Sequence, residues 1–265
     1  MDLSERFLPF RKPDRFVYLS DQSLRAFAPT PSGRALAEHD FSGADAAGAA
    51  TRPETWVGIR SRLGAGPIGL ALAPHFFIFN LFSFDRIPWR SRTRRAVVEW
   101  KLEKVFPDKI DAYHHRYYAV DGRSILSVLI RRQWCDQVEE ACRQAGLPLL
   151  FLGSTTIEII GRLFRGRRRP DFFLEYDRGG VALAFQRSGR LIYLRKLRTQ
   201  SEADLFDELH KTLAFVRQEF AFTPKTCTLV APGSSLDPAR LAPALQAEAI
   251  ALREAAGRPY LPVAP

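Results

Sequence analysis

The sequence predicts an α/β fold of two lobes built on one repeated plan, the first lobe carrying an inserted α-β-β-α subdomain. Three observations predict it. Antiparallel strand pairs open each half of the chain, and strand–helix units close each half. A helix, a hairpin and a second helix interrupt the first half between about residues 91 and 146. With 265 residues, 46% of them hydrophobic and 12% aromatic, the chain can bury two cores and does not read as disordered.

Residues 15–28, RFVYLSDQSLRAFA, read as a strand, a short turn and a second strand. Residues 33–50, rich in Ala, Gly and Asp, read as a loose connection. Residues 54–63 read as a short helix ended by Gly64 and Gly66. IGLALA (68–73) and HFFIFNLFSF (75–84) follow as strands. The second has Phe77, Phe79 and Leu81 on one face and Phe76, Ile78, Phe82 and Phe84 on the other, which predicts burial on both sides. From Ser91 the period lengthens. SRTRRAVVEWKLEKVFP predicts a helix with Ala96, Trp100 and, less regularly, Val97 and Val105 inward, ended by Pro107. AYHHRYYAV and SILSVLIR flank an Asp121-Gly122 turn, a hairpin signal. Residues 133–145 predict a helix with Trp134, Val138, Ala141, Cys142 and Ala145 inward and Gly146 just beyond its end. Trp134 and Trp100 are expected to pack within the inserted subdomain. LPLLFLG (147–153) reads as a strand and 155–164 as a helix.

RGRRRP (165–170) sets the expected lobe boundary, giving lobes 1–164 and 165–265. The strand pattern then restarts with FFLEY, VALAF and LIYLRKL, Gly189 marking a turn. Residues 201–220 form a strongly amphipathic helix: Ser201 caps it, Asp204 lies three residues on, and Phe206, Leu209, Leu213, Val216 and Phe220 step by 3, 4, 3, 4. KTCTLVAPG (225–233) reads as a strand and glycine turn, 236–256 as an alanine-rich helix, and RPYLPVAP as a tail.

The net charge is +10, and its location is informative. Residues 86–104 hold seven basic and two acidic residues, and 162–169 hold five arginines and no acid; these two segments carry the whole excess. The remainder is balanced, which argues against a uniformly basic nucleic-acid coat. The cysteines, Cys135, Cys142 and Cys227, form no CxxC pair and have no histidine at metal spacing. Cys135 and Cys142 stand about 10 Å apart along one helix, too far to bridge, so a reducing compartment fits. The first sixteen residues are too charged for a signal peptide. Pro74, His75 and Asn80 interrupt the most apolar stretch, 68–84, which alternates as strand and not as a membrane span.

RTRRAVVEWKLEKVFPDKIDAYHHRYYAV (92–120), the segment 125–164 with its helix ending AGL, VALAFQRSGRLIYLRKL (181–197) and TLVAPGSSLDPARLAPAL (228–245) carry a resemblance. In pattern and order, over roughly 15–256, the chain resembles actin-like assembly proteins of type IV pili (PilM type) and the cytoplasmic domain of type II secretion protein L (GspL type). The resemblance implies an actin-like, ribonuclease-H-like duplicated fold. In nucleotide-binding relatives the first turn of each lobe carries an Asp-x-Gly-Ser/Thr-type loop, whose glycine lets backbone amides approach phosphates. Here YLSDQSLR (18–25) keeps Asp21 and Ser23 but has no glycine. EYDRGGVA (175–182) offers Glu175, Asp177, Gly179 and Gly180, but Arg178 intrudes and the Ser/Thr is missing. APGSSLDPARL (231–241) has one glycine, Gly233, and a proline. All three elements are eroded, and Asp177, Gly179 and Gly180 also read as a plain hairpin turn.

The resemblance therefore implies a non-enzymatic scaffold with no catalytic residue, cofactor or metal. It would be cytoplasmic and peripheral to the inner membrane. Its partners would be the short cytosolic tail of a single-span membrane protein and the assembly ATPase, with no nucleic acid. The alternative is an active actin-like ATPase. In the pilus relatives the tail lies between the first-lobe core and the insert. Carried over, that groove is walled by 75–84, 92–105 and 112–119, with Arg94, Arg95, Trp100 and Tyr117 as contacts. The face bearing Arg92, Arg94, Arg95, Lys101 and Lys104 reads either as a solvated helix side or as a docking surface for an acidic partner or anionic lipid headgroups. His114 and His115 point to opposite faces of a strand and read as structural, and Cys135 has no placed base.

Overall fold

A computed structural model describes residues 15–20, 23–27, 37–40, 45–106, 110–120, 122–163, 169–177, 180–230, 236, 238–248 and 250–254. The first lobe holds β1 (Phe16–Leu19), β2 (Ser23–Phe27), β3 (Ala37–Asp40), α1 (Ala46–Ala49), α2 (Pro53–Leu63) and β4 (Ile68–Leu72). A 3-10 turn at Pro74–Phe76 leads to β5 (Ile78–Ser83), α3 (Ser91–Val105), β6 (Tyr113–Ala119), β7 (Ser124–Arg131), α4 (Arg132–Gln144), β8 (Leu149–Ser154) and α5 (Thr155–Leu163). The second lobe holds β9 (Phe172–Asp177), β10 (Gly180–Arg187), β11 (Arg190–Arg198), α6 (Glu202–Phe220), β12 (Thr226–Val230), α7 (Pro238–Ala247) and β13 (Ala251–Glu254).

The repeated plan is literal. One five-stranded sheet runs β3-β2-β1-β4-β8 and the other β11-β10-β9-β12-β13. In each, three antiparallel strands are followed by two parallel ones, joined through the first strand of the lobe. The third strand of the first sheet falls in the expected loose connection, because β3 is a four-residue polar edge strand with no apolar alternation. The fifth strand of the second sheet falls in the expected helix 236–256. There α7 stops at Ala247 and ALRE, a helix-favouring string, pairs in parallel with β12 instead. Sheet completion overrides local propensity at that position.

A third sheet, β5-β7-β6, stands apart with α3 across one face. Ile78, Phe82, Tyr113, Ile125 and Leu129 pack there against Val98 and Leu102, which turn α3 differently from the expected Ala96/Trp100 stripe. Trp100 is the largest apolar group on the helix, but the i, i+4 pair Val98/Leu102 is the one buried, and Trp100 and Val105 face out. The opposite face of β5 and β7, with Phe79, Leu81, Leu126 and Val128, joins the first-lobe core beside Trp56, Ile59 and Leu63 of α2 and Val138, Ala141 and Cys142 of α4. β5 thus makes apolar contacts on both faces, but its side chains from Ile78 to Phe82 are half-buried where burial was expected, and the first residues of the expected strand form the 3-10 turn. Trp134 packs on Phe76 and donates to the Ala47 carbonyl at 2.9 Å, so it anchors α4 to the lobe and not to the insert.

In the second lobe, α6 buries Leu205, Leu209, Leu213 and Val216 against Phe172, Leu174, Val181, Leu183 and Phe185. Ser201 caps α6 by accepting from the Asp204 amide at 3.1 Å, and Asp204 returns the contact to the Gln200 amide. Ser188 and Gly189, with φ of 54° and 79°, make the tight turn between β10 and β11. The three cysteines are free and buried, and burial raises all three thiols, Cys135 to about 12. Phe173 and Ala184 of the second lobe belong to the same buried cluster as the first-lobe core, so the lobes share apolar packing.

Candidate functional site

The lobes also meet through polar groups, at the carboxyl ends of β1, β4 and β9. Strand alternation sends Val17 and Leu19 into the first-lobe core and Tyr18 to the other face. Its hydroxyl donates to Asp177 Oδ2 at 2.5 Å, linking residues 159 positions apart. Two residues before Asp177, the carboxyl of Glu175 meets Thr155 and Thr156, the first residues of α5; Thr156 Oγ1 lies 2.6 Å from Glu175 Oε2. Tyr18, Glu175 and Asp177 are at most 1% exposed. Burial pushes the Glu175 carboxyl up to about 7, against the pull of the two threonine hydroxyls and with a further push from Asp177. Burial, then the two nearby carboxylates, holds the Tyr18 phenol well above its usual range. Thr155 has a single proton and two acceptors, Glu175 and the Leu72 carbonyl at 3.1 Å.

Of the expected nucleotide-site residues, Ser23, Asp177 and Gly180 are among the described residues. The Ser23 amide donates to Ser20 Oγ at 2.9 Å and the two hydroxyls lie 3.0 Å apart, so Ser23 is engaged by Ser20 of the same hairpin. Asp177 accepts from Tyr18. Gly180 sits against the first lobe, where an added Cβ would stand 3.2 Å from His75 Nδ1. Asp21, Gly179 and Gly233 lie outside the described residues. Among the described residues no group of three His, Cys, Asp or Glu side chains is disposed to hold a metal.

The expected partner contacts lie on α3 and the strand beneath it. Arg94 donates to the carbonyls of Pro88 and Trp89 at 3.2 and 3.0 Å, and Tyr117 donates to that of Ser91 at 3.3 Å, so both fix the start of α3. Arg95 binds Glu99 at 2.8 Å on the exposed side, and Trp100 is 52% exposed with Lys104 Nζ 3.7 Å from its ring centre. Between α3 and the sheet the space is packed apolar core. A recess of about 690 Å³ opens instead at the other end of the small sheet, lined by Thr51, Pro53, Ala112, Arg132, Asp136 and Gln137 among others. It begins beside the first residues of β6, an edge strand. Among the described residues no helix is long and apolar enough to cross a membrane.

No protein-family model and no curated protein matches this sequence. Solved structures do match. The PilM–PilN type IV pilus biogenesis complex superposes with a TM-score of 0.68 at 16% identity, covering 92% of this chain and 88% of the other. The cytoplasmic domain of EpsL, an inner-membrane component of the type II secretion system of Vibrio cholerae, gives 0.57 at 13%, covering 84% of each. A Bacteroides thetaiotaomicron protein of unknown function, described as having an actin-like ATPase fold, gives 0.57 at 10%, covering 96% and 93%. The fold is actin-like.

In actin-like terms the Tyr18–Asp177 hydrogen bond joins the opening hairpins of the two lobes. Sequence reasoning named Glu175 and Asp177 as acids but missed Tyr18, Thr155 and Thr156. The available signal was a tyrosine alternating with core residues in a central strand, whose buried hydroxyl requires a partner.

Proposed function

We propose that this chain is a non-enzymatic scaffold of a type IV pilus or type II secretion inner-membrane platform. It would sit on the cytoplasmic side, bind the cytosolic tail of a single-span membrane protein and present a surface to the assembly ATPase. The observation that carries this reading is the lobe junction: the acids that would serve a nucleotide are turned onto Tyr18, Thr155 and Thr156 of the same chain. The likeness in fold to PilM, solved in a complex with PilN, and to the EpsL cytoplasmic domain supports the class of machine.

We assign the tail to the recess beside α4, where an extended segment can pair along the β6 edge and set side chains between Pro53 and Gln137. The α3 surface of Arg94, Arg95, Trp100 and Tyr117 is the competing position. The test is fluorescence anisotropy with a labelled synthetic peptide copying the cytosolic tail of a PilN-type single-span membrane protein. Gln137 is exposed, so Gln137→Arg fills the recess without disturbing the core. Gln137→Arg should weaken binding at least tenfold, with Trp100→Ala unchanged. Loss with Trp100→Ala and retention with Gln137→Arg would move the tail to α3, and no saturable binding by the unmodified chain would contradict the scaffold reading.

A further inference from the structure

We propose that the loop before α3 and the outer side of α3 form a docking face for an anionic lipid bilayer, with three arginines receiving headgroup phosphates and Trp89 and Trp100 seated in the interfacial layer. This deepens the scaffold reading and rests on it for its biological setting, but it stands on separate residues. The first observation is exposure. Trp89 is 79% exposed, Trp100 52% and Val105 55%, three of the most exposed large apolar side chains among the described residues, all within one segment. The second is that the indoles are held out. Val98 and Leu102 fix the rotation of α3, and the two Arg94 bonds to Pro88 and Trp89 fix the loop. The third is charge: seven basic against two acidic residues over 86–104, with Arg90 5.0 Å from the Trp89 ring centre and Lys104 3.7 Å from that of Trp100.

A recess of about 590 Å³ opens beside the same loop, lined by Asp85, Arg86, Gly122, Arg123 and Arg190. Its three guanidiniums come from the α3 loop, the β6–β7 turn and the start of β11, against one carboxylate. Planar guanidinium forks match phosphate oxygens, and indoles with one polar edge prefer the headgroup layer. The spacing favours a membrane over an acidic protein. Trp89 and Trp100 are separated by about 15 Å of helix bearing cations. A protein partner needs a continuous apolar centre inside a polar rim, whereas a headgroup layer accepts indoles and cations at any lateral spacing.

The experiment is co-sedimentation of the full chain with extruded vesicles, either phosphatidylcholine alone or with half phosphatidylglycerol, at low and high salt, alongside tryptophan emission. Trp56 is fully buried and Trp134 packs on Phe76, so a vesicle-induced blue shift reports Trp89 and Trp100. The expected result is binding to anionic vesicles alone, weakened by salt, with a blue shift. Trp89→Ala with Trp100→Ala, and separately Arg86→Ser with Arg190→Ser, should each reduce it at least tenfold. Equal binding to neutral vesicles, or unaltered binding by both double variants, would overturn the proposal. So would a blue shift given by polyglutamate and not by vesicles, which assigns the face to an acidic protein. Saturation by glycerol phosphate without vesicle binding would leave a small-anion site and no membrane face. The tail-peptide titration contains no lipid and the vesicle assay no peptide, so each reading fails on its own measurement.

Discussion

Glu175→Gln should raise stability relative to the unmodified chain by only about 1 kcal/mol at pH 5 and by about 3 kcal/mol at pH 8, since each tenfold difference in proton affinity between folded and unfolded chain is worth about 1.4 kcal/mol. The reason is burial of a carboxyl at the lobe junction, which moves it from its ordinary value of 4.5 up to about 7. Between those two values the folded chain binds a proton that the unfolded chain has released. Glu175 therefore contributes stability that is fully present below about 4.5 and lost as pH rises through about 7. Glutamine keeps an acceptor for Thr156 and has no proton to lose. Urea unfolding of both chains at pH 5 and pH 8 checks this, since the comparison cancels every other carboxylate. An equal difference at both pH values would mean that Glu175 is ionised throughout and that the threonine hydroxyls, not burial, set its state.

Phe173→Ala should cost about 3 to 5 kcal/mol and leave a single unfolding transition. Phe173 is fully buried, and although it belongs to β9 of the second lobe it packs in the cluster centred on the first. Removing the ring opens a cavity at the shared core and weakens both lobes together. Calorimetry is the measurement. Two resolved transitions, in the unmodified chain or the variant, would show that the lobes melt independently and that the shared packing does not couple them.

Both predictions concern the feature that the sequence made hardest to see. The repeated β–β–β and strand–helix order was legible from alternation and from the period change at Ser91, because apolar periodicity is local. α6 was legible down to its Ser201 cap. β3 and β13 were not: one is too short and polar to alternate, and the other is written in helix-forming residues and made a strand by β12. On α3 the size of Trp100 outweighed the true i, i+4 pair Val98/Leu102. At the junction Glu175 and Asp177 could be named from their turn, but their partners could not. Tyr18 is 159 residues from Asp177, and Thr155 and Thr156 read only as the beginning of a helix. Pairing across lobes leaves no periodic trace in either segment.

On the reading proposed above, this actin-like chain has turned its inter-lobe acids into an internal contact and responds to no nucleotide. Titration of the full chain with Mg-ATP, followed by calorimetric heat and by Tm, tests that most directly. The expected result is no saturable heat and no rise in Tm up to millimolar Mg-ATP. Micromolar binding that raises Tm and is lost in Gly179→Val would contradict it and restore the working ATPase.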